Sequence, residues 1–329
     1  MLNKPRIPAE WEPHKTLWTA WPSHENLWED DLAGACQEVS AMIRALAPDD
    51  NIRVLACGDA VAATAEMILD DVAEVITAEF GDIWLRDTGP IFAQAGNECL
   101  ALRFRNNGWG GKYVLAGDDG VGDIVVSASG RQARHFDFVL EGGALEHNGE
   151  GVVLTTRQCL LNNNRNPSWD QATAEQHLAN AIGCHKVIWL DEGLLNDHTD
   201  GHVDNLARFI SPDTVVCQKA SGDDDPNAGV YDKIASDLSA AGLTVHRAPS
   251  PGLVTDDDGN PMPASHMNFV IGNATVVVPV YNTLHGKDAV QALKPLFPDH
   301  KVVGLSSRHL LTGGGSFHCI TQQEPAISN

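Results

Sequence analysis

The stretch 214–248, TVVCQKASGDDDPNAGVYDKIASDLSAAGLTVHRA, holds one complete structural phrase. Residues 214–218 are a short run dominated by valine, as expected of a buried strand. Residues 227–241 have the spacing of an amphipathic helix, and 243–248 form a second apolar strand. The phrase occurs again as strand 52–57, helix 60–70 and strand 72–78. It recurs as strand 152–156, a helix from a Ser168 cap to residue 182, and strand 186–190. A further copy is strand 275–280, helix 287–297 and strand 301–305. The copies starting at 152, 214 and 275 are separated by 62 and 61 residues. The segment 95–140 is strand-rich but has no clear helix, so it reads as a degenerate unit.

Each unit closes on a polar or glycine-rich loop, followed by a strand entry that carries unusual polar residues. These entries are IWLRDTGP at Asp87, LEGGA at Glu141, DGHVDN at His202, SHMNF at Asn268 and FHCITQ at Cys319. Their separations are 54, 61, 66 and 51 residues, so each of five similar units offers one polar site. Repetition at such a period favours a closed array in which neighbours bury each other's apolar faces. A doubly wound sheet also alternates strand and helix. However, the first strand is not followed by the Gly-x-Gly-x-x-Gly that a nucleotide-binding fold needs there. A ring of five units is therefore the expected α/β architecture, with the five polar sites meeting at its centre.

Composition narrows the function classes. The chain has 329 residues, with 22 Lys and Arg against 44 Asp and Glu, for a formal charge of −22. Such a surface repels nucleic acid and anionic membranes and attracts small cations. The seven cysteines are an odd number without Cys-x-x-Cys spacing, which argues against a disulfide framework or zinc ribbon and for a reducing compartment. The N-terminal residues have no apolar run after their basic positions, and no stretch approaches the ~20 apolar residues of a membrane span. A cytoplasmic protein is expected, without a nucleic-acid or membrane partner.

Cys319 lies in GGGSFHCITQQ, a polar, glycine-rich setting that suits a reactive thiolate better than the surroundings of the other six cysteines. A thiolate needs a base and a group to orient that base. DHTDGHVDN supplies candidates: if it is extended, His198, Asp200, His202 and Asp204 share one face. That face can be read as the metal site of a metal-dependent hydrolase, or as a general acid–base (His202) beside a substrate-binding carboxylate (Asp204). Taken alone, the segment favours neither. A metal site, though, leaves a distant glycine-flanked cysteine without a task. Asp87 and Glu141 add two carboxylates at matching places in the repeat. A guanidinium ion accounts for this combination, because it is planar, always charged, and best held by carboxylates accepting paired N–H bonds. Trp84 and Trp109 are candidates to stack on the cation or its alkyl chain.

The blocks AEWEPHKTLWTAWP, WLRDTGPIF, NGWGGKY, EGGALEHNGEG, TDGHVDN and GGGSFHCITQQ resemble, in order and over nearly the whole chain, the agmatine deiminases. That family includes the bacterial peptidylarginine deiminases and belongs to the guanidino-modifying pentein superfamily. The resemblance implies a five-bladed, pseudo-symmetric α/β propeller, with residues 1–329 as a single catalytic domain and a homodimeric assembly. It implies Cys319 as nucleophile, His202 as general acid–base, Glu141 as the group orienting His202, and Asp87 and Asp204 as the guanidinium clamp. Asp200 is a candidate for the distal amine, whereas His318 is expected to be structural, since an adjacent strand residue points to the opposite face. The implied reaction converts agmatine to N-carbamoylputrescine and ammonia without metal or organic cofactor, a step of putrescine formation. Free or peptidyl arginine is the alternative substrate.

Overall fold

The chain winds into five small sheets, seen in a computed structural model that describes residues 4–281 and 283–327. The first sheet contains β1 (His14–Ala20), β2 (Ile52–Cys57) and β3 (Glu74–Ala78), and the second β4 (Ile91–Ala95), β5 (Glu98–Arg105) and β6 (Gln132–Val139). The third is built from β7 (Glu146–His147), β8 (Val152–Thr156) and β9 (Lys186–Leu190), and the fourth from β10 (Ala207–Ser211), β11 (Thr214–Lys219) and β12 (Thr244–Pro249). The fifth holds β13 (Val270–Ile271), β14 (Thr275–Val280) and β15 (Lys301–Ser306). The last strand, β16 (Thr321–Pro325), returns to pair antiparallel with β1, so the two ends of the chain close the ring in one sheet.

In sheets two to five the inner strand is antiparallel to the middle one, and the middle strand is parallel to the outer one. Parallel neighbours need a crossover, and a helix supplies it in each blade. The middle strands are covered on both faces and accordingly read as nearly continuous apolar runs, as in Thr275–Val280. Blades bury one another: Leu154, Ile188 and Leu190 of the third share a core with Phe209, Val215 and Cys217 of the fourth. Val216 and Ala248 of the fourth pack with Phe269, Ile271 and Val278 of the fifth. Each buried Val, Leu, Ile or Phe among them contributes roughly 1.5–3 kcal/mol relative to exposure.

The repeat is more regular than the sequence suggests. The second unit does contain a crossover helix, Val121–Ser129, stopped by Gly130 in the left-handed conformation (φ 66°). Its short length hides the helical period. The third crossover helix spans Gln171–Ala181 and is capped by Asp170, whose Oδ1 accepts from the Thr173 amide at 2.8 Å, rather than by Ser168. In the fifth blade the helix occupies Thr283–Leu293 and a 3₁₀ turn follows at Lys294–Leu296, where Pro295 prevents further α-helix.

A charged column fills the axis beneath the inner strands. Buried Arg208 donates from Nε to Glu146 Oε2 at 2.9 Å, pairs through its other end with Glu10, and lies over the Phe269 ring at 4.7 Å. Arg86 donates to Gln322 and Gln323 at 2.9 and 2.8 Å. Buried pairs of this kind add little net stability, but losing one partner strands a charge. Their effect is to fix the inner ends of the blades, and with them the loops above.

Candidate active site

All five polar entries occupy the same place in their blades, just before the inner strand. Asp87 sits in the helical turn Leu85–Thr88 ahead of β4, and Glu141 precedes the 3₁₀ turn Gly142–Ala144 ahead of β7. His202 and Asp204 flank the start of the turn Val203–Asn205 ahead of β10. Asn268 precedes β13 and Cys319 precedes β16. The ring thus delivers at least one chemical group per blade to its centre.

Their geometry is close-set. Cys319 Sγ lies 3.7 Å from Asp204 Oδ2 and receives the Asn268 side-chain amide at 3.1 Å. Asn268 Oδ1 in turn accepts from the His318 and Cys319 backbone N–H groups at 3.0 and 3.2 Å. His202 stands between two acids, with Nδ1 3.7 Å from Asp87 Oδ2 and Nε2 3.9 Å from Glu141 Oε2. These are charge contacts rather than hydrogen bonds. Asp87 is fixed by the Gly143 amide and the Trp109 indole N–H, each donating at 2.8 Å. Trp109 holds a left-handed backbone (φ 52°) between glycines, a strained placement that aims its indole at Asp87. Gly143 is required sterically: a Cβ there would fall 2.6 Å from His202 Nδ1 and about 3 Å from Asp87 and Asp204 carboxylate oxygens.

Electrostatically the site is an anionic trap. Burial raises the Asp87 carboxyl, and His202 beside it offsets only part of that. Burial also acts to raise Asp204 and Glu141, but His318 and His202 hold Asp204 low, while His202 and Arg165 hold Glu141 low. For His202, burial opposes the charged form, yet Asp87, Glu141 and Cys159 outweigh it and lift the ring well above its ordinary range. Burial, followed by Asp204 and Asp87, pushes the Cys319 thiol well above the usual thiol range. The resting pair is therefore a thiol and an imidazolium. Three buried acceptor or donor atoms of the site, Asp204 Oδ1 and both ring nitrogens of His202, have no hydrogen-bond partner. Orphans of this kind mark a place where a ligand completes the network.

A pocket of about 200 Å³ opens onto this group, lined by Asp87, Trp84, Trp109, Trp28, Asp82 and Cys319 among others. Trp84 stacks on Trp28 at 5.9 Å and donates to Asp82 at 2.8 Å. Of the three glycines before the cysteine, only Gly314 needs a positive φ (105°), while Gly315 leaves room for the Trp84 ring.

The extended reading of DHTDGHVDN does not hold. Asp200 (φ 65°) and Gly201 (φ 88°) are left-handed, so the chain turns and the four side chains part. His198 is exposed and stacked on Tyr113, and Asp200 is held by Arg165, by Asn164 at 2.9 Å and by Lys112 at 2.5 Å. Asp200 is absent from the pocket wall, and among the described residues His198, Asp200, His202 and Asp204 do not gather as metal ligands. The position of His318 also differs from expectation. Cys319 and His318 lie in a turn, where strand alternation does not apply. His318 bridges Asp204 Oδ2 at 2.8 Å and Glu10 Oε2 at 3.1 Å, so it is a support directly behind the site.

Two contributors, Arg165 and Gly143, are not singled out by the sequence, and a third, Asn268, is only partly legible there. Arg165 donates to Glu141 Oε1 at 2.8 Å from the loop NNNRNP, where its charge looks like an ordinary exposed one. Gly143 was visible only as half of a Gly-Gly pair. Asn268 was legible as a strand entry, but its bond to Cys319 was not.

Five α/β blades around an axis, each contributing a polar group to one buried centre, define a five-bladed α/β propeller. Superposition gives the agmatine deiminase of Enterococcus faecalis at a TM-score of 0.91, with 29% identity and 99% and 97% of the two chains covered. A C. jejuni agmatine deiminase with substrate bound gives 0.92, at 27% identity over 99% and 97% of the chains. The agmatine deiminase of Stutzerimonas stutzeri is 33% identical over 97% of this chain and 95% of its own. The chain belongs to the Porphyromonas-type peptidyl-arginine deiminase family, whose model matches residues 6–325.

Proposed function

We propose that this protein is an agmatine deiminase, hydrolysing agmatine to N-carbamoylputrescine and ammonia through a covalent amidino-cysteine intermediate. The observation that carries this reading is the set of orphaned polar atoms, Asp204 Oδ1 beside Cys319 and both nitrogens of His202 beside Asp87, behind a pocket that Asp87 and Cys319 line. A guanidinium entering there is gripped by Asp87 and Asp204 and flanked by Trp84 and Trp109. Its positive charge offsets the two aspartates that keep the thiol protonated, so binding itself promotes loss of the Cys319 proton to solvent.

The thiolate then adds to the guanidinium carbon while imidazolium His202, oriented by Glu141, protonates the departing nitrogen. Ammonia leaves and an amidino-thioether remains. Neutral His202 takes one proton from water as the oxygen attacks the same carbon, and collapse returns the thiolate, gives the remaining hydroxyl proton to solvent and releases the ureido product. Covalent catalysis replaces one difficult hydrolysis by two easier displacements. Asp200 has the secondary role of anchoring Arg165 behind Glu141. The whole ring acts as one catalytic domain.

Tail specificity follows from the pocket wall. Among the described residues that wall has no Lys or Arg, and it presents Asp82 beside aromatic rings, which suits an alkyl chain ending in an ammonium. Free arginine would bring a carboxylate to that wall with no cation to receive it. Lys112 lies farther out, already engaged by Asp200 and the His198 carbonyl. Measuring ureido product from agmatine, free arginine and an arginyl peptide tests the assignment: agmatine is expected to dominate, and preference for either arginine substrate would overturn it.

A further inference from the structure

A second buried thiol stands next to the catalytic histidine without a part in the reaction above. Cys159 is fully buried, at the end of the turn that follows β8. It is held there because Thr156, capping Arg157–Leu160, accepts from the Cys159 amide at 3.1 Å. Its Sγ is 4.0 Å from Glu141 Oε2, which is itself 3.9 Å from His202 Nε2. Among the described residues, Glu141, Cys159 and His202 form the one group whose sulfur, nitrogen and oxygen ligand atoms all lie within 4.8 Å of one another.

We infer that Cys159, His202 and Glu141 form an inhibitory site for a thiophilic divalent cation such as zinc, distinct from the nucleophile. Zinc bonds of about 2.0–2.3 Å to nitrogen, oxygen and sulfur place tetrahedral ligands about 3.5 Å apart, so the two contacts of Glu141 Oε2, at 4.0 and 3.9 Å, close by roughly half an ångström each on binding. One thiolate, one imidazole and one carboxylate make a mixed donor set that suits zinc and disfavours magnesium or calcium. A second observation points the same way: both ring nitrogens of buried His202 lack hydrogen-bond partners. Arg165 occupies the other oxygen of Glu141 and fixes it as an outer support would. The nearest wall of the 200 Å³ pocket is Asp87, whose Oδ2 is 3.7 Å from the opposite ring nitrogen of His202, Nδ1.

Binding releases two protons, one from the Cys159 thiol and one from imidazolium His202, and leaves a zinc–thiolate with neutral imidazole and carboxylate ligands. Occupation therefore tightens as pH rises. It also removes the acid–base and its orienting carboxylate from the deimination, an effect on turnover that rests on the proposed function.

The test uses the full chain in two arms. In the first, cobalt is added as a spectroscopic stand-in for zinc to Cys319→Ala, which removes the nucleophile as a ligand. A thiolate-to-cobalt charge-transfer band is expected, and it disappears in the Cys159→Ser background. This arm needs no turnover, so it stands even if the substrate assignment fails. In the second, zinc is expected to abolish wild-type turnover reversibly with chelator, while Cys159→Ser and Cys159→Ala, each read against its own zinc-free rate, require at least tenfold more zinc for half-inhibition. Absence of the cobalt band, or equal zinc sensitivity in the Cys159 variants and wild type, would overturn the site.

Discussion

The side-chain amide of Asn268 donates to Cys319 Sγ at 3.1 Å, while its carbonyl receives the Cys319 backbone N–H at 3.2 Å. One residue of the fifth blade therefore both positions the thiol turn and stabilises negative charge on the sulfur. Asn268→Ala removes that donor from a water-poor site, where a single lost donor costs about 10²–10³ in rate. Steady-state kinetics on agmatine are expected to show the loss mainly in kcat. A change below tenfold would mean that the amide does not serve the thiolate.

Gly143→Ala should be almost as damaging, although it removes no functional group. The new methyl meets His202 Nδ1 at 2.6 Å, and the ring cannot retreat because Asp87, Glu141 and Cys159 surround it. Turnover is expected to fall by more than about a hundredfold, as for a small misplacement of a catalytic group. Near-normal turnover in this variant would mean that His202 is not confined as described.

The pH dependence follows from the raised thiol. Burial together with Asp204 and Asp87 keeps Cys319 protonated in the free enzyme. Its alkylation by neutral iodoacetamide should keep rising with pH beyond about 8.5, where an ordinary thiol is half ionised. A plateau near neutrality would indicate a thiolate already formed at rest. The same sign holds for His202, whose proton is present below its raised pKa and lost above it, so the descending limb of kcat/KM should also fall on the alkaline side.

Arg208→Met tests the axial column. The substitution leaves Glu10 and Glu146 buried without their shared partner. Losing one member of a buried ion network costs roughly 3–5 kcal/mol, which denaturant unfolding should report as a lower midpoint. Neutral effect in that measurement would mean that the column is dispensable for the ring.

Much of this architecture was legible because it repeats. Apolar middle strands at near-constant spacing, each followed by a polar strand entry, place Asp87, Glu141, His202, Asn268 and Cys319 at equivalent positions in five blades. What was hidden depends on backbone turns and on distant partners. Left-handed Asp200 and Gly201 break the alternation that seemed to align His198 with His202, and the turn at His318 cancels the strand rule that dismissed it. Arg165 reaches Glu141 from a loop 24 residues away in the chain, a pairing that no local pattern encodes. Asp170 rather than Ser168 caps its helix because a carboxylate three residues before Thr173 reaches that amide.

The most direct test of the chemistry is peptide mass spectrometry on enzyme quenched with acid during agmatine turnover. The peptide containing Cys319 is expected to carry an adduct with the mass of agmatine minus ammonia, and Cys319→Ala should show neither adduct nor ureido product. Substantial turnover by Cys319→Ala, or an adduct on any other residue, would contradict Cys319 as the nucleophile.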